Sequence, residues 1–219
     1  MDINALLDLL IYAIPIFLAV GILGGIYYFR TLDKVHLSLL IYLVVCLLVD
    51  LVSRVYAKKY GNNLVFIPIS GFFELGAASL CYHYLLARKR FLWPVVALAA
   101  VFMVQEAMRI NVNNVADFQT YSRVISSFLI TVMSIVCFFE WISNEKGMAG
   151  NTLLLNSSIL IYYAFNLVCF LPVNFLINVD SDIKFSFWFA NLLITLIFYA
   201  FLNILIWKHG KSRKQLLRG

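Results

Sequence analysis

The chain has 219 residues, 63% of them hydrophobic and only 13% charged, with 17 Lys and Arg against 11 Asp and Glu. Roughly a quarter of the residues of an ordinary soluble domain are charged, so this composition excludes a mainly water-facing surface and points to a bilayer. A spanning helix needs about 20 apolar residues. Seven spans with short connections therefore occupy nearly all of the chain and leave no room within it for a soluble catalytic or ligand-binding domain.

Seven apolar segments follow one another at about 4–28, 35–57, 64–87, 91–109, 118–142, 152–177 and 185–207. They predict an all-α polytopic membrane protein: one bundle of seven transmembrane helices over residues 1–207, then a basic tail at 208–219. Gly61–Asn63, Asn111–Asn114 and Asp180–Asp182 punctuate one set of connections, and Arg88–Arg90 and Asn144–Asn151 the other. Cytoplasmic loops carry the excess of Lys and Arg. An outer N-terminus puts Arg30, Lys34, Arg88, Lys89, Arg90, Lys146, Lys208, Lys211, Arg213, Lys214 and Arg218 in the cytoplasm. It leaves only Arg54, Lys58, Lys59, Arg109, Arg123 and Lys184 on the outer side, so an outer N-terminus and a cytoplasmic C-terminus are expected.

In span 1, which is too long and has too acidic a start for a cleaved leader, Gly21, Gly24 and Gly25 mark close packing and Asp8 lies one or two turns in. Charge at membrane depth costs about 2.5–3.5 kcal/mol on insertion scales, which makes the carboxylates of the later spans informative. In span 2, Asp50 has Arg54 one turn later on the same face, a spacing that suits a structural ion pair as well as a site. Glu74 of span 3 sits near mid-bilayer with Ser70 a turn before it and no basic residue within a turn. It needs a proton, a partner on another helix or water, and Asn166, Asn191 and Tyr162 are the candidate partners. In span 4, Gln105 and Glu106, with Arg109 beyond, either join this outer-half cluster or lie in the interface. Glu140, near the inner end of span 5, can snorkel to water.

Uncharged polar residues recur at steps of three or four. Ser127, Thr131 and Ser134 do so in span 5, Ser158, Tyr162 and Asn166 in span 6, and Trp188, Asn191, Thr195, Tyr199 and Asn203 in span 7. Such faces turn into the bundle, as helix–helix glue or as the wall of a cavity. The candidate site is a polar cavity built from Asp50, Arg54, Glu74, Glu106, Tyr162, Asn166, Trp188 and Asn191. Cys46, Cys81, Cys137 and Cys169 all fall in apolar runs and read as packing residues. His36, His83 and His209 are scattered, so no metal ligand, cofactor or catalytic residue is assigned. Span 7 lacks the lysine of a retinal protein, and no internal repeat of a transporter is visible.

The stretch LLIYLVVCLLVDLVSRVYAKKYGNNLVFIPISGFFELGAASLCYHYLL from Leu39 to Leu86 combines an acid in span 2, an Asn-Asn turn and a glutamate in span 3. With NSSILIYYAFN at Asn156–Asn166 and FWFANLLITLIFYAFLNILIW at Phe187–Trp207, it resembles a family of small seven-helix membrane proteins of Bacteroidota. Some members are encoded near sensor histidine kinases. The resemblance implies a fold, a topology and a bacterial inner-membrane location, and it supplies no catalytic residues.

The function expected first is non-enzymatic: a sensor or regulatory protein with an outward-facing polar cavity, signalling through a membrane or cytoplasmic protein partner. An oligomeric pore or transporter comes second, and a lipid-modifying enzyme using Glu74, Asp50 and His83 third. The expected partners are membrane lipids, another protein or copies of the chain itself. The basic run from Lys208 directly follows an apolar segment, which suits anionic lipid rather than nucleic acid.

Overall fold

The computed structural model describes residues 3–87, 89–90, 92–109, 121–143, 150–176 and 181–216, without the side chains of 3–5, 172–176 and 181–185. Seven α-helices follow in chain order: α1 (Ile3–Tyr27), α2 (Lys34–Tyr60), α3 (Phe66–Leu85), α4 (Leu92–Arg109), α5 (Ser122–Ser143), α6 (Gly150–Leu176) and α7 (Ser181–Leu216). A 3-10 turn at Phe29–Thr31 joins α1 to the approach of α2. Among the described residues the fold is all-α. The turns expected at Asn111–Asn114 and over most of Asn144–Asn151 lie outside the described residues, as do Asp180, Arg88, Lys146 and Arg218.

Six helices, all but α3, are long and apolar enough to cross a membrane, so this is a multi-pass membrane protein. α3 has the length, 20 residues, but Glu74, His83 and its serines and tyrosines dilute its hydropathy. Its position accounts for that. α3 packs against α2, α4 and α5, and Gly71, Glu74, Ala78, Ser79 and Tyr82 are all buried. The one helix without a stretch apolar enough to count as a span is thus well enclosed by its neighbours, where protein supplies the hydrogen bonds that lipid cannot.

The helices close into a ring. α1 packs on α2, α2 on α3, α3 on α5, α5 on α6, α6 on α7 and α7 back on α1, while α4 packs outside on α3. Leu43, Tyr82, Ile130, Leu155 and Leu202 are fully buried at the centre. The periphery is apolar: Leu9, Tyr12, Ile16, Val20 and Leu23 of α1 are exposed at steps of three or four, as suits a surface solvated by hydrocarbon. Close contacts need small residues. A β-carbon at Gly21 would collide with Asn203 of α7 and come within 2.8 Å of Leu43. One at Gly71 would lie 3.2 Å from the Ser126 hydroxyl and 3.3 Å from the Ser122 carbonyl of α5.

Local signals set the ends of α2. The carboxylate of Asp33 caps its first turn by accepting the His36 N–H at 2.9 Å. Gly61, at φ 80, ends it in the left-handed conformation that glycine adopts without strain, donating to the Ala57 carbonyl at 2.9 Å. α7 runs 36 residues to Leu216, so residues 208–216 continue the last helix.

Candidate functional site

Glu74 lies eight residues into α3, about 12 Å along its axis. Its partner is Arg123, in the first turn of α5: the guanidinium Nη1 donates to Glu74 Oε1 at 2.5 Å and to the Ser70 hydroxyl at 3.3 Å. The Tyr163 hydroxyl donates to Glu74 Oε2 at 3.2 Å and meets the Tyr42 hydroxyl at 2.8 Å. Both charged side chains are about nine-tenths buried, and the guanidinium also lies 5.4 Å from the centre of the Phe170 ring. Three helices, α3, α5 and α6, thus meet at one carboxylate, and Tyr42 of α2 bonds to Tyr163 behind it. Small residues permit this, because Gly71 on α3 and Ser122 and Ser126 on α5 bring the two backbones close enough for the pair to form within the bundle.

Asn166, Asn191 and Tyr162, the partners expected for Glu74, form their own chain instead. Asn191 Nδ2 donates to Asn166 Oδ1 at 3.0 Å, Asn166 Nδ2 donates to the Tyr162 carbonyl at 3.0 Å, and Thr195 donates to the Asn191 carbonyl at 2.7 Å. The Tyr162 hydroxyl stands 3.4 Å from Thr195. The polar stripes of α6 and α7 therefore face each other inside the bundle. The α7 stripe continues to Asn203, which donates to the Phe17 carbonyl of α1 at 2.8 Å.

A cavity of about 280 Å³ lies above the Glu74–Arg123 pair, at the end of the bundle where α3, α5 and α7 begin. Asp50, Glu74, Tyr162, Trp188 and Asn191 line it, joined by Ser53, Asn63, Ser70, Arg123 and Thr195. Apolar walls from Ile14, Leu18, Phe66 and Phe73 surround these groups. Arg54, Glu106 and Asn166 stand behind or beside it. Arg54 donates to Asp50 at 2.7 Å, as an i,i+4 pair does, and to the Ile11 carbonyl of α1 at 2.7 Å, which ties α2 to α1. Glu106 caps α5: one carboxylate oxygen accepts the Tyr121 N–H, and the other accepts the Ser122 N–H at 2.7 Å and the Ser122 hydroxyl. An anion at a helix N-terminus is favoured by the helix dipole, so Glu106 anchors the turn that delivers Arg123.

Beneath the ion pair the interior is packed. Tyr162 stacks on Phe198 at 4.0 Å between ring centres, and Leu43, Leu75 and Leu202 fill the level around them. One layer further, Tyr82 donates to Asn156 Oδ1 at 2.9 Å, and Ser134 and Asn156 exchange bonds at 3.0 Å. His83 sits near the other end of α3, nine residues and about 14 Å of helix from Glu74, where it accepts from Trp93 at 3.2 Å. His83 is therefore remote from Glu74 and Asp50, which both line the cavity.

Sequence reasoning missed Arg123 and Tyr163, the side chains that bond to Glu74, and Tyr42, which bonds to Tyr163. It also left the histidines apart. His36 and His209 instead stack with 3.6 Å between ring centres, and together with Asp33 they place one donor atom each within 4.8 Å of one another. That cluster lies where α2 begins and α7 ends, at the opposite end of the bundle from the cavity. No protein-family model, curated protein or solved structure matches the chain.

Proposed function

We propose that the chain is a membrane receptor that takes a small polar ligand into this cavity from outside the cell and signals through a membrane or cytoplasmic protein partner. The observation that carries the reading is the form of the cavity: polar groups on five helices line it, a buried ion pair floors it, and packed aromatic and leucine side chains close it beneath. About 280 Å³ is near the lower end of ligand pockets, so the ligand is small. Paired charges and amides suit a ligand with both donors and acceptors. The closed floor supports a pocket over a path through a single chain, which leaves an assembly of copies as the form a pore would take.

The orientation belongs to the same proposal. It rests on the excess of Lys and Arg at the end assigned to the cytoplasm. The proposal takes a bacterial inner membrane as the location and a sensor kinase as the partner class to seek, a choice that the sequence resemblance to the Bacteroidota family supports. The test is thiol accessibility in a background without the four native cysteines. The Ser53→Cys and Asn191→Cys variants should react with a membrane-impermeant thiol reagent added outside, and not with the same reagent sealed inside vesicles. Reaction from inside alone would reverse the orientation, and ion flux through proteoliposomes of the wild type would replace the receptor with a pore.

A further inference from the structure

We infer that a groove between α4 and α5 binds one anionic phospholipid molecule, with an acyl chain in the groove and the headgroup against Lys89 and Arg90. The groove lies where α3 and α5 end and α4 begins, at the opposite end of the bundle from the cavity. It shares no residue with the cavity and stands apart from the receptor reading.

Its shape follows from how α4 is held. α4 packs chiefly on α3 and touches α5 only lightly. Near its last turn, Glu106 ties it to the start of α5 through Tyr121 and Ser122. Towards the first turn of α4 the two helices stand apart and leave a groove of about 610 Å³. Leu129, Val132, Met133, Val136 and Phe139 form its α5 wall, on one face of that helix. Leu86, just past α3, and Leu92 of α4 are buried at its base, whereas Val95, Val136 and Phe139 are exposed along its rim. An apolar furrow offers water no partners, so within a bilayer hydrocarbon fills it.

Length and polarity match a single lipid. From Leu129 to Ser143 α5 advances about 21 Å. One leaflet measures about 15 Å of hydrocarbon and about 6 Å of headgroup region. The apolar side chains occupy the deeper part, and Glu140 and Ser143 the mouth. Exposed aromatic rings beside the mouth put it at headgroup depth, where Trp and Tyr gather. Trp93 donates to the His83 ring at 3.2 Å, and Lys34 Nζ lies 5.9 Å from the centre of the Tyr84 ring.

Charge at the mouth selects the headgroup. Ala87 and Leu92 both line the groove, and the connection between them carries Lys89 and Arg90, both exposed. The Leu92 N–H donates to the Lys89 carbonyl at 3.1 Å, which folds this connection into a tight turn. Glu140 accepts the Ala87 N–H at 2.7 Å, so its carboxylate is turned towards the backbone. Two cations against this one anion favour a headgroup of net negative charge over a zwitterionic one.

The test uses the full-length protein, delipidated in mild detergent and titrated separately with phosphatidylglycerol and with phosphatidylcholine of the same acyl chains. Native mass spectrometry counts the lipid retained. Expected is one saturable phosphatidylglycerol per chain, bound at least about threefold more tightly than phosphatidylcholine. Lys89→Gln/Arg90→Gln should erase that preference and leave phosphatidylcholine binding unchanged. Val136→Trp, which fills the groove from its rim, should weaken both lipids at least about tenfold. Leu23→Trp, at an exposed position of α1, should weaken neither. Far-ultraviolet circular dichroism confirms that each variant is folded. Should Val136→Trp fail to fold, the charge variant decides the matter, because Lys89 and Arg90 lie exposed in a turn. Equal affinity of the wild type for both lipids overturns the proposal, as does a preference that survives Lys89→Gln/Arg90→Gln. Wild-type retention in Val136→Trp, the mark of annular lipid only, also overturns it. So does a wild-type dimer that Val136→Trp dissociates, which would give the groove to a second copy of the chain.

Discussion

Two ion pairs in this protein have similar chemistry and different surroundings, and burial sets their worth. Asp50 and Arg54 are each 27% exposed, in the range where an ion pair contributes roughly 0–1 kcal/mol. Asp50→Asn should therefore change unfolding in mild detergent by less than about 1 kcal/mol. Glu74 and Arg123 have almost no solvent to fall back on, and removing one member of such a pair typically costs about 3–5 kcal/mol because the other charge is left uncompensated. Arg123→Leu should cost that much, and the double variant Glu74→Leu/Arg123→Leu should recover part of the loss. A double variant no more stable than Arg123→Leu would mean that Glu74 is not the group stranded. The spacing Asp50–Arg54 is legible in the sequence because both residues share one helix face. Arg123 is 49 residues from Glu74, and a pattern confined to single helices cannot reveal which helices face each other. Its position near the start of a span made it look like an interfacial charge. The His36–His209 stack was hidden for the same reason.

Helix existence was the most legible level, because apolar length alone marks a span; the observed helices follow the seven expected segments. Two elements show where that signal stops. α3 is recognised by its run of apolar residues, but its central place comes from its small residues and its glutamate. The end of α7 escaped because hydropathy falls after Trp207, whereas KHGKSRKQL still contains enough good helix formers to continue the helix beyond the apolar segment. The glycines of α1 give a sharper test of packing. Gly21 presses on Asn203 and Leu43, while the nearest atom to a β-carbon at Gly24 is Trp207 Cε3, at 3.7 Å. Gly21→Ala should destabilise the protein by about 1–3 kcal/mol through overpacking. Gly24→Ala should be neutral or stabilising by up to about 1 kcal/mol, as helix propensity directs. Thermal unfolding of the two variants side by side checks both, and equal effects would contradict the α1–α7 packing.

At the scale of the whole molecule, the two ends of the bundle differ in character, with a polar cavity at one and a histidine cluster beside a basic helix end at the other. Topology reporters fused after Asn62 should read outside and those after Arg90 inside; the opposite pattern would invert the receptor. α7 belongs to both ends. Trp188, Asn191 and Thr195 line the cavity, and further along the same helix Lys214 lies 3.2 Å from the Tyr27 hydroxyl of α1. Spin labels on the exposed positions Leu193 and Leu216, introduced as Leu193→Cys and Leu216→Cys, should report one narrow distance distribution, with about 34 Å of helix between them. A broad distribution would show that the helix bends. A straight rod has a mechanical property that neither end has alone. Switching transitions move helices by about 1–2 Å, and in a rod pivoted near its middle an inward step at Asn191 becomes an outward step of the same size at Lys214. Such a lever needs no relay of side chains between its two ends, only a fulcrum, and the tightly packed middle of the ring is where one would sit.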